Sequence, residues 1–342
     1  MPKNKKKEIS PILITGVWRS GTTLVSRILN NHPDLAVTYD TVHFMRFSFN
    51  KYNPIHKKKN VIKLINDTRK RLLKRYDLNI CEKDVLKIIN GKYTYQRIYD
   101  ALMQVFLLKS NKKNTWGEKT NLVWTKIPNF FKMYPKGRVL HIVRDPRAVL
   151  FSWKKFTQAN GNDYLDSILN CYDSMSKALL YKNIYKHKSY KLITYEELVS
   201  NPSLIVKSVC KKFNIKYDPI MLETKNFTDK HGNKWKANSI HKKRVMGISK
   251  SIINRWKKNL NNWEIFWIEA IMKDLFRHFD YKKTKTIANE EIIKKIIYKI
   301  EKSKLALDGI IRFALSKKGF ERYPSDPILK INWQKSKYEK KK

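Results

Sequence analysis

The chain has little cysteine, little acid and no long apolar run, and each shortage removes a class of protein. Its three cysteines, Cys81, Cys171 and Cys210, are scattered through 342 residues. They are odd in number, far apart and form no C-x-x-C pair, which argues against a disulfide framework or a zinc site and makes a reducing compartment the default expectation. No stretch is long and apolar enough to span a bilayer. The basic start, Met1–Glu8, leads straight into an apolar run with no signal-peptide hydrophobic region or cleavage pattern, so a cytoplasmic location is expected by default. Asp and Glu total 29 against 73 for Lys and Arg, a net charge of +44. An excess of this size points to anionic ligands, polyanionic partners or a membrane surface. A plainer origin is compositional. The chain is crowded with Lys, Asn and Ile and poor in Ala and Gly, as an AT-rich coding sequence would produce, and most lysines are then solvated surface.

What is present is a globular pattern. Apolar residues make up 42% of the chain, enough to bury a substantial core. Pro11–Val17 and Arg138–Arg144 read as buried strands, Tyr190–Thr194 as a third, and Ala36–Thr38 and Trp116–Thr120 as short strand candidates. Helical spacing is expected over Thr22–Asn31, over His56–Lys109 with breaks near Asn79 and Gly91, and over Leu122–Tyr134. It is also expected from Asp145-Pro146 to Phe156, and over Tyr164–Tyr185, Pro202–Phe213, Trp263–Phe279 and Glu290–Leu305. Asp145 as N-cap with Pro146 at the first helical position is a start signal. Strands alternating with helices predict an α/β fold, a P-loop-like parallel sheet flanked by helices on both faces. With no repeat or linker, the reading is a single domain over 9–283 with a helical insert at 50–110, followed by an accessory basic tail over 284–342.

The most informative segment is Gly16-Val17-Trp18-Arg19-Ser20-Gly21-Thr22-Thr23. It lies between a strand and a helix with the G-x-x-x-x-G spacing of a phosphate loop, but Thr22 stands where a P-loop has lysine. Backbone N–H groups and the helix dipole still favour an anion there. The hydroxyls of Ser20, Thr22 and Thr23 add donors, and Arg19 adds a forked cation. Without the lysine, and with the strand Arg138–Arg144 running into Arg-Asp-Pro rather than a Walker-B acid, nucleoside triphosphate chemistry is disfavoured.

Trp18–Leu24 (WRSGTTL) resembles the 5′-phosphosulfate loop of the sulfotransferases that use 3′-phosphoadenosine 5′-phosphosulfate (PAPS), usually written P-R-S-G-T-T, with Trp18 in place of the proline. Asn31-His32-Pro33-Asp34 continues the likeness, and Val139–Ser152 (VLHIVRDPRAVLFS) resembles the family's 3′-phosphate motif. The resemblance spans residues 11–281. It implies that Arg144 and Ser152 bind the 3′-phosphate; on local sequence alone Arg144 would instead pair with Asp145 or a neighbouring residue. Tyr195, in YEELVSNP, implies an adenine contact against the plainer reading of a half-buried aromatic. Ser239 and Arg255, with Lys242, Lys243 and Arg244 as neighbours, fall in a segment like the closing loop over the nucleotide.

Sulfuryl transfer needs cations or donors at the leaving oxygen and a base for the acceptor hydroxyl. Lys119 matches a lysine of the tyrosylprotein-type and related bacterial enzymes and is expected at the leaving group, a role Arg19 can share. Asp40 aligns with the catalytic Glu of those enzymes and is the expected base, with Glu118 and His43 as rivals. The implied partners are PAPS and a hydroxyl acceptor: a carbohydrate, a peptide tyrosine or a small alcohol. No metal and no specific nucleic acid are expected. Two other functions compete: a P-loop-type nucleotide kinase, and a non-enzymatic polyanion or nucleic-acid binder driven by charge.

Overall fold

The computed structural model describes residues 10–39, 41–109, 115–157, 163–229, 233–235, 248–284, 289–303, 307 and 310–311. Five strands, β1 (Ile12–Gly16), β2 (Leu35–Tyr39), β3 (Thr115–Lys119), β4 (Arg138–Val143) and β5 (Ser189–Thr194), form one parallel sheet in the order β2-β3-β1-β4-β5. The central β1 is buried along its whole length, as expected of a strand in a sheet covered on both faces.

Alternation along the strands sorts the helices. Ile12 and Ile14 of β1, with Leu140 and Ile142 of β4, pack on one face against α1 (Thr22–Asn30), through Val25 and Ile28, and against a C-terminal helix through Val206 and Phe213. Leu13, Val139 and Val143 point to the other face. Between β2 and β3 lie α2 (Phe44–Phe47), α3 (Lys58–Tyr76), α4 (Glu82–Ile89) and α5 (Tyr95–Lys109). This insert is not a separate body: Leu64, Ile65, Val85, Ile98 and Leu102 belong to the same core as Leu13 and Val139. After β3 come α6 (Ile127–Met133), α7 (Pro146–Thr157) and α8 (Asp166–Ile184). After β5 come α9 (Tyr195–Ser200), α10 (Pro202–Phe213), α11 (Asn262–Ile271), α12 (Lys273–His278) and α13 (Glu290–Glu301). No helix among the described residues is long and apolar enough to cross a membrane.

Where the elements depart from the sequence reading, backbone geometry gives the reason. The expected helix Leu122–Tyr134 starts late because Leu122 has φ +61°, a left-handed conformation that α-helix cannot include. The expected helix Trp263–Phe279 is split at Met272 (φ −91°, ψ 5°). Asp145 caps α7 as anticipated, its Oδ1 accepting the Arg147 N–H at 2.9 Å. Its ion pair, however, is with Arg147. The Arg147 guanidinium bonds Asp145 and Glu269 at 2.8 Å each and lies 4.0 Å from the Trp256 ring, which ties α7 to α11. Arg144 is thereby left for the sheet edge.

His141, fully buried on β4, meets the Tyr190 hydroxyl at 3.0 Å and Ser174 at 2.9 Å. Burial lowers its pKa from 6.5 to about 3. As pH falls through that window the unfolded chain takes up a proton that the folded one refuses, so stability is present above pH 6.5 and is lost toward about pH 3. His141→Gln, which can keep both hydrogen bonds, is expected to flatten the decline of urea-unfolding stability with acidity over that range. An unchanged slope would show that His141 does not titrate on unfolding.

Candidate functional site

The carboxyl ends of β1, β3 and β4 come together where the chain leaves β1, the edge at which ligands bind in open α/β sheets. A Cβ on Gly16 would lie 2.4 Å from the Ile142 carbonyl oxygen, so only glycine lets the turn lie against β4. Arg19 adopts φ +70° and Gly21 φ +97°, which folds the loop back into the amino end of α1. A Cβ on Gly21 would fall 2.3 Å from Cδ2 of Tyr195. No side chain caps α1, so its first N–H groups and its dipole are turned to the loop.

The loop is braced from within. Ser20 Oγ donates to the Val17 carbonyl at 2.6 Å, and Thr22 Oγ1 donates to Asn121 Oδ1 at 2.9 Å. These two hydroxyl hydrogens shape the loop in this conformation instead of pointing outward, while Thr23 stands half-buried on the first helical turn. Asn121 was invisible as a site residue in the sequence. It sits two places after Lys119, and only the parallel register brings it beside Thr22. The same register is carried into the loop by the hydrogen bond from Leu122 N–H to the Gly16 carbonyl.

Arg19 and Arg144 share one corner. Arg144 donates from Nη1 to the Arg19 carbonyl at 2.9 Å, and its Cζ lies 4.3 Å from the centre of the Tyr195 ring. Its Nε is buried with no hydrogen-bond partner. Arg19 donates from Nε to Ser152 Oγ at 2.8 Å, joining residues 133 apart in sequence. Burial and then repulsion from Arg144 lower the Arg19 pKa from 12.5 to about 10. Both effects are ones that a bound anion would relieve. Ser152, accepting from Arg19, still has its own hydroxyl hydrogen to donate.

Tyr195 is 5% exposed, with its face under Arg144 and its edge against Gly21. Burial raises its phenol pKa, opposed by the charges of Arg144, Arg19 and Arg255. As placed, it lies under Arg144 and close against Gly21 of the loop. Arg255 is half-buried in the turn Arg255–Lys258, with its charge felt at Tyr195. Lys119 ends β3 in register with Ile14 on one side and Tyr39 on the other, its side chain buried. Asp40, which follows Tyr39, lies outside the described residues, as do Ser239, Lys242, Lys243 and Arg244.

The rival bases have other work. Glu118 is fully buried, and its carboxylate accepts the N–H groups of His43 and Phe44 and the hydroxyl of Tyr99. Burial leaves its pKa raised, with those hydrogen bonds and Arg71 opposing the shift. His43 is buried at φ +52°, its Nε2 3.2 Å from the Tyr76 hydroxyl and its ring edge-on to Phe47. Together they pin the turn that leads from β2 into α2. Among the described residues no group of His, Cys, Asp or Glu is placed to hold a metal ion.

A family model described as "Sulfotransferase family" matches residues 11–219. The chain belongs to the sulfotransferase family. It is 27% identical over 238 residues to protein-tyrosine sulfotransferase of Drosophila melanogaster, a match covering 66% of this chain and 42% of that protein. It is 26% identical over 238 residues to protein-tyrosine sulfotransferase 1 of Danio rerio, covering 66% and 59%. The chain thus matches only part of the length of these relatives. Among solved structures, the sulfotransferase domain of the Synechococcus PCC 7002 olefin synthase superposes with a TM-score of 0.56 at 16% identity, covering 83% of this chain and 99% of that one. The sulfotransferase domain from the curacin biosynthetic pathway gives 0.55 at 15% identity, covering 81% and 100%. At such identities these likenesses speak for the fold.

In this sulfotransferase the segment after β2 is held by one carboxylate. Glu118→Ala is therefore expected to strand the His43 and Phe44 N–H groups and the Tyr99 hydroxyl, lowering unfolding stability in urea by about 3 kcal/mol or more. A loss below about 0.5 kcal/mol, the range of ordinary surface substitutions, would contradict the pinning role.

Proposed function

We propose that this sulfotransferase moves the sulfuryl group of PAPS to a hydroxyl acceptor. The 5′-phosphosulfate lies on the 16–23 loop and the 3′-phosphate between Arg144 and Ser152. The observation that carries this reading is the Arg144 guanidinium, buried with its Nε unbonded beside Arg19 and Ser152. It is a second anion position next to a phosphate-type loop. A nucleoside triphosphate puts its phosphates in one line and needs a loop lysine with a divalent ion. A nucleotide phosphorylated at both the 3′ and 5′ positions puts negative charge on two sides of one ribose, which suits a loop at a helix N-terminus on one side and the Arg144–Ser152 pair on the other. A nucleotide kinase would leave Arg144 and Ser152 without a task.

In the proposed reaction the acceptor oxygen approaches sulfur in line. Its S–O bond forms as the bond from sulfur to the bridging oxygen of the departing adenosine 3′,5′-bisphosphate breaks. Charge grows on that bridging oxygen, and Lys119 and Arg19 meet it from β3 and from the loop. The uncapped N–H groups of α1 hold the 5′-phosphate in place, fixing the distance between sulfur and acceptor. Asp40 takes the acceptor proton as the new bond forms. Tyr195 keeps Arg144 aimed at the 3′-phosphate, and Arg255 adds positive charge near Tyr195.

Calorimetric titration with adenosine 3′,5′-bisphosphate at physiological salt tests the donor site. Binding is expected without added divalent ion. Arg144→Ala should weaken it by about tenfold to a hundredfold, the scale of a charge-assisted phosphate contact. No binding by the unaltered protein, or unchanged affinity in Arg144→Ala, would defeat the assignment.

A further inference from the structure

The chain keeps to β1 beyond the end of β3. The Thr120 N–H donates to the Ile14 carbonyl at 2.9 Å and the Leu122 N–H to the Gly16 carbonyl at 3.2 Å, which carries the parallel ladder on to the start of the phosphate loop. The Val123 N–H reaches Thr15 Oγ1 at 3.4 Å, and Leu122, at φ +61°, ends the extended run. In such a ladder, side chains two places apart share a face. Asn121 therefore follows Lys119 on one face, roughly 7 Å further toward the carboxyl edge of the sheet, while Glu118 and Thr120 take the other.

Asn121 is 3% exposed, and only part of its amide is used. Its Oδ1 accepts the Thr22 hydroxyl at 2.9 Å, and its Nδ2 has no hydrogen-bond partner among the described residues. An amide nitrogen brings two N–H donors, and donors this far from bulk water are normally bonded. With Oδ1 turned to the first residue of α1, the planar amide directs Nδ2 away from Thr22. The group is thus fixed at one end by the loop and open to a ligand at the other.

We infer that Asn121 is a catalytic residue of the transfer, donating from Nδ2 to a non-bridging oxygen of the sulfuryl group while Oδ1 keeps Thr22 in place. On the donor reading above, from which this follows, the loop holds the 5′-phosphate and Lys119 meets the bridging oxygen. The sulfuryl group then lies beyond that oxygen, beside the residue that shares the face of Lys119 and borders the loop. Its non-bridging oxygens carry the negative charge of the group as the bond to the bridging oxygen lengthens. An amide N–H can bond them with no proton to give up and no charge of its own. Because Thr22 and the ladder hold Asn121 from both sides, the donor is in place before the charge moves.

Adenosine 3′,5′-bisphosphate lacks the sulfuryl group, so comparing it with PAPS isolates the contact. Both are titrated calorimetrically into the unaltered protein, Asn121→Leu and Thr22→Val. The hydrolysis of labelled PAPS to sulfate and the bisphosphate is followed alongside, a rate that needs no acceptor. Asn121→Leu is expected to weaken PAPS by about tenfold more than the bisphosphate, the scale of one hydrogen bond to a charged group, and to slow hydrolysis. Thr22→Val breaks the same hydrogen bond from the other side and should weaken both ligands alike, their ratio kept within about threefold. Asn121→Ser, read in the same way, serves if Asn121→Leu does not fold. Equal weakening of the two ligands in the Asn121 variants would make the residue a brace of the loop alone, and unchanged affinities would remove it from the site. Either result overturns the assignment and leaves the donor reading standing. Absence of bisphosphate binding in the unaltered protein would bring down both.

Discussion

Two guanidinium groups, near enough to repel each other in a desolvated corner, set the terms for what surrounds them. Arg144 reaches the carbonyl of Arg19, and the approach, together with burial, is felt as a lowered pKa at Arg19. Like charges out of water separate or neutralise unless the surroundings fix them. Here Ser152 accepts from Arg19, the Tyr195 ring lies beneath Arg144, and Gly21 leaves room for that ring. Each of these contacts would be poor economy in a merely structural turn. On the donor reading proposed above, they would preorganise the corner for negative charge on a ligand, with donors that need no rearrangement when the anion arrives.

The fold supplies the convergence. β1 lies between β3 and β4, so the loop leaving β1 is flanked on one side by Lys119 and Asn121 and on the other by Arg144. Arg147 pairs with Asp145 and Glu269, while Glu196, which accepts the Asp145 N–H, lies close enough to Arg144 to feel its charge. Glu118 and Lys119 are consecutive on β3 and, by strand alternation, face opposite ways. Glu118 anchors the turn after β2, and on the reading proposed above Lys119 would serve the leaving group from the same strand.

The sheet and the phosphate loop were legible in the sequence because their physical requirements are local. A buried parallel strand must be a short apolar run, and a loop that wraps an anion must have glycine at the tight positions. Pro11–Val17 and Arg138–Arg144 each contain an observed strand, Tyr190–Thr194 misses only the first residue of β5, and α10 has its expected bounds, Pro202 to Phe213. What escaped depends on contacts between distant segments. The short helices α2 and α9 are too brief to show a period. Asn121 acquires its partner across 99 residues and Trp153 acquires Trp18 through folding alone. Glu118 looked like a possible base because a carboxylate near the site has that chemistry; only the three donors converging on it reveal an anchor. Tyr195 is expected from the resemblance to contact an adenine, and the fold adds its place under Arg144.

The most direct measurement is a crystal structure of the protein with adenosine 3′,5′-bisphosphate bound. The 5′-phosphate is expected on the backbone N–H groups at the start of α1, and the 3′-phosphate within hydrogen-bond distance of both Arg144 Nε and Ser152 Oγ. A nucleotide seated elsewhere, or one whose 3′-phosphate points into solvent while Arg144 stays against Arg19, would contradict the donor reading.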